Sequence, residues 1–384
     1  MKAWHNLLPM RILVCPDKFA GTLSASEAAN CISKGWLSFA PDAEISQIPI
    51  SDGGTGFLDS ISHALNLETQ VMFARGPLGA QVPVEIAFDK NTAYIESAQV
   101  IGIHLIQPSA GTILKASSFG IGEVIKVCVE KGFHKIIIGL GGTAVSDGGA
   151  GALAALGAVA LDSKGMPIHA LENGTSDLKD ISSIDLSRVE ELLSDVTIEI
   201  LTDVDNPLLG VRGAAKTFSA QKGASELQIE EIESSLTCFA TLLGKRSDGK
   251  NAAVALGAGA AGGVGFGLIR VGAVRSAGIE RVIEILGLKS AIANSDLVIT
   301  GEGKFDWQSL DGKVVTGVAK TALNLGKATI VMAGQVELGR RDWQTIGVAG
   351  AFSMAEFSGL ALAMSEPIET LAGLSERVAR TWNR

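Results

Sequence analysis

Short apolar runs alternate with glycine-rich turns and with stretches whose apolar positions recur at helical spacing, which is the rhythm of strand, turn and helix. Ile12 to Cys15 is the first strand and PDKFAGTL the loop behind it. Ser24-Ala25-Ser26-Glu27 then reads as a capping box opening a helix with Ala28, Cys31, Ile32 and Trp36 on one face. Ile45 to Ile50 is the second strand, and Ser51-Asp52-Gly53-Gly54 turns into a helix carrying Phe57, Leu58, Ile61 and Leu65.

After Leu67 the pattern changes. Gln70 to Phe73, Val82 to Phe88 and Thr92 to Glu96 read as consecutive strands joined by Gly, Pro and Asn turns. A helix over Ser118 to Lys131 leads to Lys135 to Gly139, a β-branched run of the fully buried kind. Asn173 to Asp195 is polar and reads as a surface excursion, and Thr197 to Leu201 is a further strand. From Asp296 the βαβ rhythm returns, with strands at Leu297 to Thr300, Thr329 to Gly334 and Ile346 to Met354, and a closing helix aligning Leu371, Leu374, Val378 and Trp382. About five strands in the outer segments predict a small doubly wound parallel sheet of the α/β class. The expected organisation is one discontinuous domain over 1–67 and 290–384, interrupted by a second α/β domain over 68–289, with the active site in the cleft between them.

Composition narrows the function. Of 384 residues 47% are hydrophobic and 19% charged, enough apolar material for a large core. The net charge of −9 offers no footprint for nucleic acid or an anionic membrane. Ala252 to Ile269 is uncharged, but its alanines and glycines make a buried loop and short helix a better reading than a membrane span. The four dispersed cysteines and five scattered histidines suggest a reduced, cytoplasmic protein without structural zinc. The oligomeric state is left open, a homodimer included.

Ligands in doubly wound sheets bind beyond the carboxyl ends of the strands, so chemistry is sought in the turns there. Asp17 and Lys18 follow the first strand, Ser51 and Asp52 the second, Asp147 the KIIIG strand, Asp203, Asp205 and Asn206 the Thr197 strand, and Glu302, Lys304 and Asp306 the LVIT run. One such Asp is read most simply as a helix cap. Several together repel unless a pKa rises or a hard cation such as Mg²⁺ joins them. Ser-Asp-Gly-Gly occurs twice, at Ser51 to Gly54 and Ser146 to Gly149, each time before a helix whose free N–H groups suit an anion. Gly257 to Gly262 matches G-x-G-x-x-G, but NAAVAL before it makes a poor strand and Glu280 falls in a helical pattern, which argues against a nicotinamide-dependent oxidoreductase.

Arg11-ILVCPDKFAGTLSASEAA-Asn30, Pro49-ISDGGTG-Phe57, Gly139-LGGTAVSDGGAGALAALGA-Val159, Asp203-VDNPLLG-Val211, Gln221-Lys222-Gly223-Ala224, Gly257-AGAAGG-Val264 and Asp296-LVITGEGKFDWQSLDGK-Val314 together closely resemble the bacterial type-I glycerate kinase family. The resemblance implies ATP- and Mg²⁺-dependent phosphorylation of D-glycerate to 2-phosphoglycerate, and a flavodoxin-like domain interrupted by a second α/β domain. Family chains usually begin at the residue matching Met10, so Met1 to Pro9 reads as an extension. The 3-phosphoglycerate product, another small hydroxy acid, and a non-catalytic nucleotide-binding protein are the alternatives.

Phosphoryl transfer requires in-line positioning, charge compensation and a base for the attacking hydroxyl. Asp203 or Asp205 is the expected base, with Asp147 behind them, and Asp205, Asp52 and Glu302 are the expected Mg²⁺ ligands. Lys18 and Lys304 would grip a carboxylate or the γ-phosphate, with Lys222 and Lys313 as weaker candidates. Gly141, Gly142, Gly148 and Gly149, with Gly53 and Thr143 nearby, would cradle phosphate. Gly259, Gly262 and Gly263 would let backbone close over the ligand, and Asp17, Ser51 and Asn206 complete the substrate-binding set.

Overall fold

β-branched and aliphatic runs form the centre of two separate sheets. The computed structural model describes residues 9–19, 21–310 and 313–382. Residues 1–8 of the expected extension lie outside them. The chain divides into two units, one of Met1–Asp52, Asp59–Asn66 and Ile279–Arg384, the other of Gly53–Leu58 and Leu67–Gly278. The fold is mixed α/β, with helices and with parallel and mixed sheets.

The first unit holds a parallel sheet in the order Val348–Ser353, Ala328–Val336, Leu297–Phe305, Arg11–Val14, Glu44–Gln47. Successive side chains of a strand point to opposite faces. Ile330 and Met332 accordingly pack in one cluster with Ile32, Trp36 and Leu371, while Val331 and Ala333 pack in another with Val315 and Ala319. Both faces of the sheet are therefore covered. The Ala25–Phe39 helix starts at the expected capping box, Ser24 with Glu27. It meets the Pro367–Trp382 helix at Gly35, where a Cβ would lie 2.0 Å from the Ala372 carbonyl oxygen.

In the second unit a six-stranded sheet runs Val274–Ser276, Thr197–Leu201, Lys135–Gly139, Thr92–Glu96, Gln81–Phe88, Glu68–Arg75; the first four strands are parallel, and Gln81–Phe88 runs antiparallel to both of its neighbours. Asn173 to Asp195 differs from its expectation. It carries the Ser183–Asp185 strand of a small antiparallel sheet, and its Thr175, Leu178 and Val189 are buried. Its polar residues hide a few well-spaced apolar anchors. The segment from 252 runs as a 3-10 turn and then the Ala260–Arg270 helix, and no helix among the described residues is long and apolar enough to cross a membrane.

Candidate functional site

The Leu297–Phe305 strand extends beyond the expected Thr300, because Glu302 to Phe305 stay in register with Ala333 to Val336 of the neighbouring strand. Glu302 and Lys304 thus stand on a strand end, not in a turn. The chain beyond Arg11–Val14 follows the same neighbour, with the Asp17 amide donating to the Gly301 carbonyl at 2.8 Å. This brings Asp17, Lys18, Asp52, Glu302 and Lys304 to one cavity of about 630 Å³ in the first unit. Asp306 and Lys313 line it too, and Met354, Leu360, Ala363 and Met364 give it an apolar side.

The electrostatics of this cavity follow from burial and from like charges. Burial and the nearby Asp52 raise the Asp17 carboxyl to about 7, against the opposing Lys18 amide at 2.7 Å. Burial likewise raises Glu302 to about 7, aided by Asp306 and Asp52 and opposed by Ser309 and Lys313. Glu302 Oε1 and the hydroxyl of Ser51 are buried without a hydrogen-bond partner. Lys304 is exposed and pairs with Glu337 at 3.0 Å and Asp306 at 3.7 Å. An acceptor left bare among half-titrated carboxyls suits a hard cation.

Among the described residues no group of three or more His, Cys, Asp or Glu side chains could hold a metal ion. The expected trio of Asp205, Asp52 and Glu302 is corrected accordingly. Asp205 belongs to the second unit, where its exposed carboxylate pairs with Arg275 at 2.7 Å. Asp52 and Glu302 remain together on the cavity wall. Two protein carboxylates are an ordinary complement for Mg²⁺, which keeps waters and takes substrate phosphates.

The Gly139-to-Gly149 turn of the second unit departs furthest from its expected role. Asp147 is fully buried, and its carboxylate accepts from the Ser118 amide and hydroxyl, both at 2.8 Å, and from the amides of Gly149 at 3.1 Å and Gly151 at 3.2 Å. Burial raises its pKa while these donors oppose the rise. It caps the Ala150–Leu156 helix from inside and engages the Gly149 amide, while the Gly141 and Gly148 amides donate to Ser97 Oγ at 3.2 Å and to the Gly262 carbonyl at 3.1 Å, and burial keeps the Asp147 carboxylate away from a substrate proton. Lys222 is buried as well, donates to the Val145 carbonyl, and is lowered by burial to about 8 against the pull of Asp147. It ties the turn to the 220–224 segment.

The fingerprint glycines are packed against backbone. A Cβ on Gly262 would lie 1.9 Å from the Val145 oxygen, on Gly263 2.7 Å from Gly148 Cα, and on Gly259 2.6 Å from the Pro207 oxygen. Gly148 faces Leu236 and Phe239, Gly149 faces Val264 and Gly267, and Thr143 is buried. These glycines close backbone on backbone, which corrects the ligand-covering role expected of them. Gly141 is half-buried and Gly142 exposed, beside Gly54 and Thr55. Gly53 packs on Leu201, and the buried Glu96 carboxylate, which the sequence did not single out, accepts from the amides of Gly56 and Leu58 at 3.1 Å each. The Asn206 side-chain amide donates to the Arg212 carbonyl at 2.7 Å, and the Asn206 backbone carbonyl accepts from the Gly259 amide at 2.8 Å, so Asn206 locks the DVDNP turn. Asp203 is half-buried in that turn.

Comparison with known proteins agrees with these motifs. The glycerate kinase family model matches residues 12–383. A glycerate kinase from Halalkalibacterium halodurans is 36% identical over 97% of this chain and 99% of its own. A glycerate 2-kinase from Escherichia coli K12 is 40% identical over 85% of this chain and 86% of its own. A solved structure from Salmonella typhimurium LT2 described as a glycerate kinase 2 superposes with a TM-score of 0.81 at 35% identity, covering 97% of this chain and 98% of that one.

Proposed function

The chain belongs to the glycerate kinase family of phosphotransferases, and on that premise we propose that it moves the γ-phosphoryl group of ATP to the 2-hydroxyl of D-glycerate. The observation that carries this reading is the first unit's cavity, where Asp17, Asp52 and Glu302 share a wall with Lys18 and Lys304 beside apolar Met354, Leu360 and Met364. Phosphoryl transfer asks the protein chiefly for positioning and charge compensation. The lysines supply cationic contacts for phosphate or for the glycerate carboxylate, and the apolar side suits an adenine ring. Asp52 and Glu302 would hold Mg²⁺, whose contribution when bound is to neutralise charge on the phosphate oxygens.

We assign the removal of the hydroxyl proton to Asp203, since Asp205 is held by Arg275 and Asp147 is consumed inside the core. The first unit's own strand order, second-first-third-fourth-fifth, supports the flavodoxin-like class. We place the enzyme in the cytoplasm, in keeping with its free cysteines Cys15, Cys31, Cys128 and Cys238.

ADP release from MgATP, followed with and without D-glycerate, tests the proposal. Release should depend on D-glycerate, and Asp203→Asn should lower kcat by at least about 100-fold with its melting temperature retained. Wild-type release at background level would end the kinase reading, and an undiminished variant would end the role of Asp203.

A further inference from the structure

The six-stranded sheet ends on the Glu68–Arg75 strand, whose eight residues pair, among the described residues, only with Gln81–Phe88. Proteins commonly guard such an edge with Lys, Pro or a bulge. The sequence ETQVMFAR contains neither Lys nor Pro, and its register with the neighbour runs unbroken from Glu68 to Arg75. The Gly76 amide donates to the Ala80 carbonyl across the hairpin, so Gly76 faces inward. By alternation the backbone groups of Thr69, Val71, Phe73 and Arg75 face outward. The amide of Arg75 donates to the Glu123 carboxylate at 2.7 Å, which closes that end of the edge. Thr69, Val71 and Phe73 keep their outward ladder groups available, and Val71 and Phe73 are 58% and 68% exposed, with exposed Pro83 opposite Phe73.

We propose that this edge pairs antiparallel with the same edge of a second copy of the chain, about a two-fold axis at Val71. A two-fold axis perpendicular to a sheet keeps each side chain on its own face, so paired residue numbers must sum to an even value. Centring on Val71 sets it against its own copy and Phe73 against Thr69 of the other chain, an aromatic facing a β-branched residue. The residues so paired are the ones whose amides Glu123 leaves available. Centring on Met72 would instead set Arg75, with its blocked amide, against Thr69. The Val71 register also sets Glu68 of each copy opposite Ala74 of the other, which keeps the two Glu68 carboxylates at opposite ends of the joined edge. The dimer thereby buries the exposed Val71 and Phe73 strip and joins two sheets edge to edge.

Sedimentation velocity of the full chain over a concentration series tests this. The wild type should sediment at twice the 39.7 kDa chain mass. Val71→Lys, which sets two ammonium groups against each other, should weaken the dimer at least about tenfold, and Phe73→Lys reads the same interface should the first variant fail to fold. Val274→Lys, on the sheet's other edge, should leave the dimer intact. A single-chain mass at every concentration, a dimer indifferent to both strand variants, or a dimer lost with Val274→Lys would overturn the proposal. The readout is mass alone, so the result stands apart from the kinase assignment.

Discussion

Asp17 and Glu302 set the electrostatics of the first cavity, because burial holds their carboxyls near 7 against ordinary values of 3.8 and 4.5. A carboxyl raised in the folded state keeps protons that the unfolded chain releases. Its contribution therefore favours folding below about pH 4 and is lost as pH rises through about 7. The ligand-free protein should lose melting temperature across that window, and the Asp17→Asn, Glu302→Gln double variant should lose this part of the slope; equal slopes for the two would contradict the assignment. Mg²⁺ with ATP should raise the melting temperature more at pH 8 than at pH 5.5, and an equal rise at both would count against cation binding at these acids. Asp147 makes a different prediction. Asp147→Ala strands the buried Ser118, Gly149 and Gly151 donors and should cost at least about 3 kcal/mol in urea unfolding. The sequence showed an Asp at a strand end in both cases. What it could not show is which carboxylate turns inward to cap a helix and which faces a cavity, because that depends on donors such as Ser118 that lie far away along the chain.

At the scale of elements, the strands were legible wherever apolar runs were unbroken, as in Ile12 to Cys15 and Lys135 to Gly139. The extension of Leu297–Phe305 through Gly301, Glu302, Gly303 and Lys304 was not legible, since its composition is that of a turn and the neighbouring strand alone keeps it extended. The apolar cavity side was missed for the converse reason. Met354, Leu360 and Met364 sit on two short helices, Met354–Ser358 and Leu360–Ser365, whose spacing resembles ordinary core. A 3-10 turn, Ala252–Val254, precedes the glycine fingerprint where a dinucleotide loop requires a strand. Its glycines serve close packing, with Gly262 at φ +67° against the Val145 carbonyl. Gly262→Ala should therefore destabilise the protein by at least about 2 kcal/mol, measured by denaturant unfolding, through both the clash and the left-handed backbone. Wild-type stability in that variant would show the contact to be soft.

At the scale of the whole molecule, the chain forms two α/β units. The first gathers acids, lysines and an apolar wall at the carboxyl ends of a parallel sheet, and the second fixes Asp203 in a turn locked by Asn206. The strand rhythm of the outer segments and the hairpins after Leu67 predict two domains from sequence, whereas the place of Glu68–Arg75 at the edge of its sheet became visible only once the strand order was known. The proposed transfer carries the phosphoryl group to the 2-hydroxyl of D-glycerate. Proton-coupled ³¹P spectroscopy of the product formed from D-glycerate and MgATP tests it most directly, because phosphorus on the 2-oxygen sees a single neighbouring CH proton and on the 3-oxygen a CH₂ pair. Transfer to the 2-hydroxyl gives a phosphomonoester doublet; a triplet, or no new phosphomonoester at all, would contradict it.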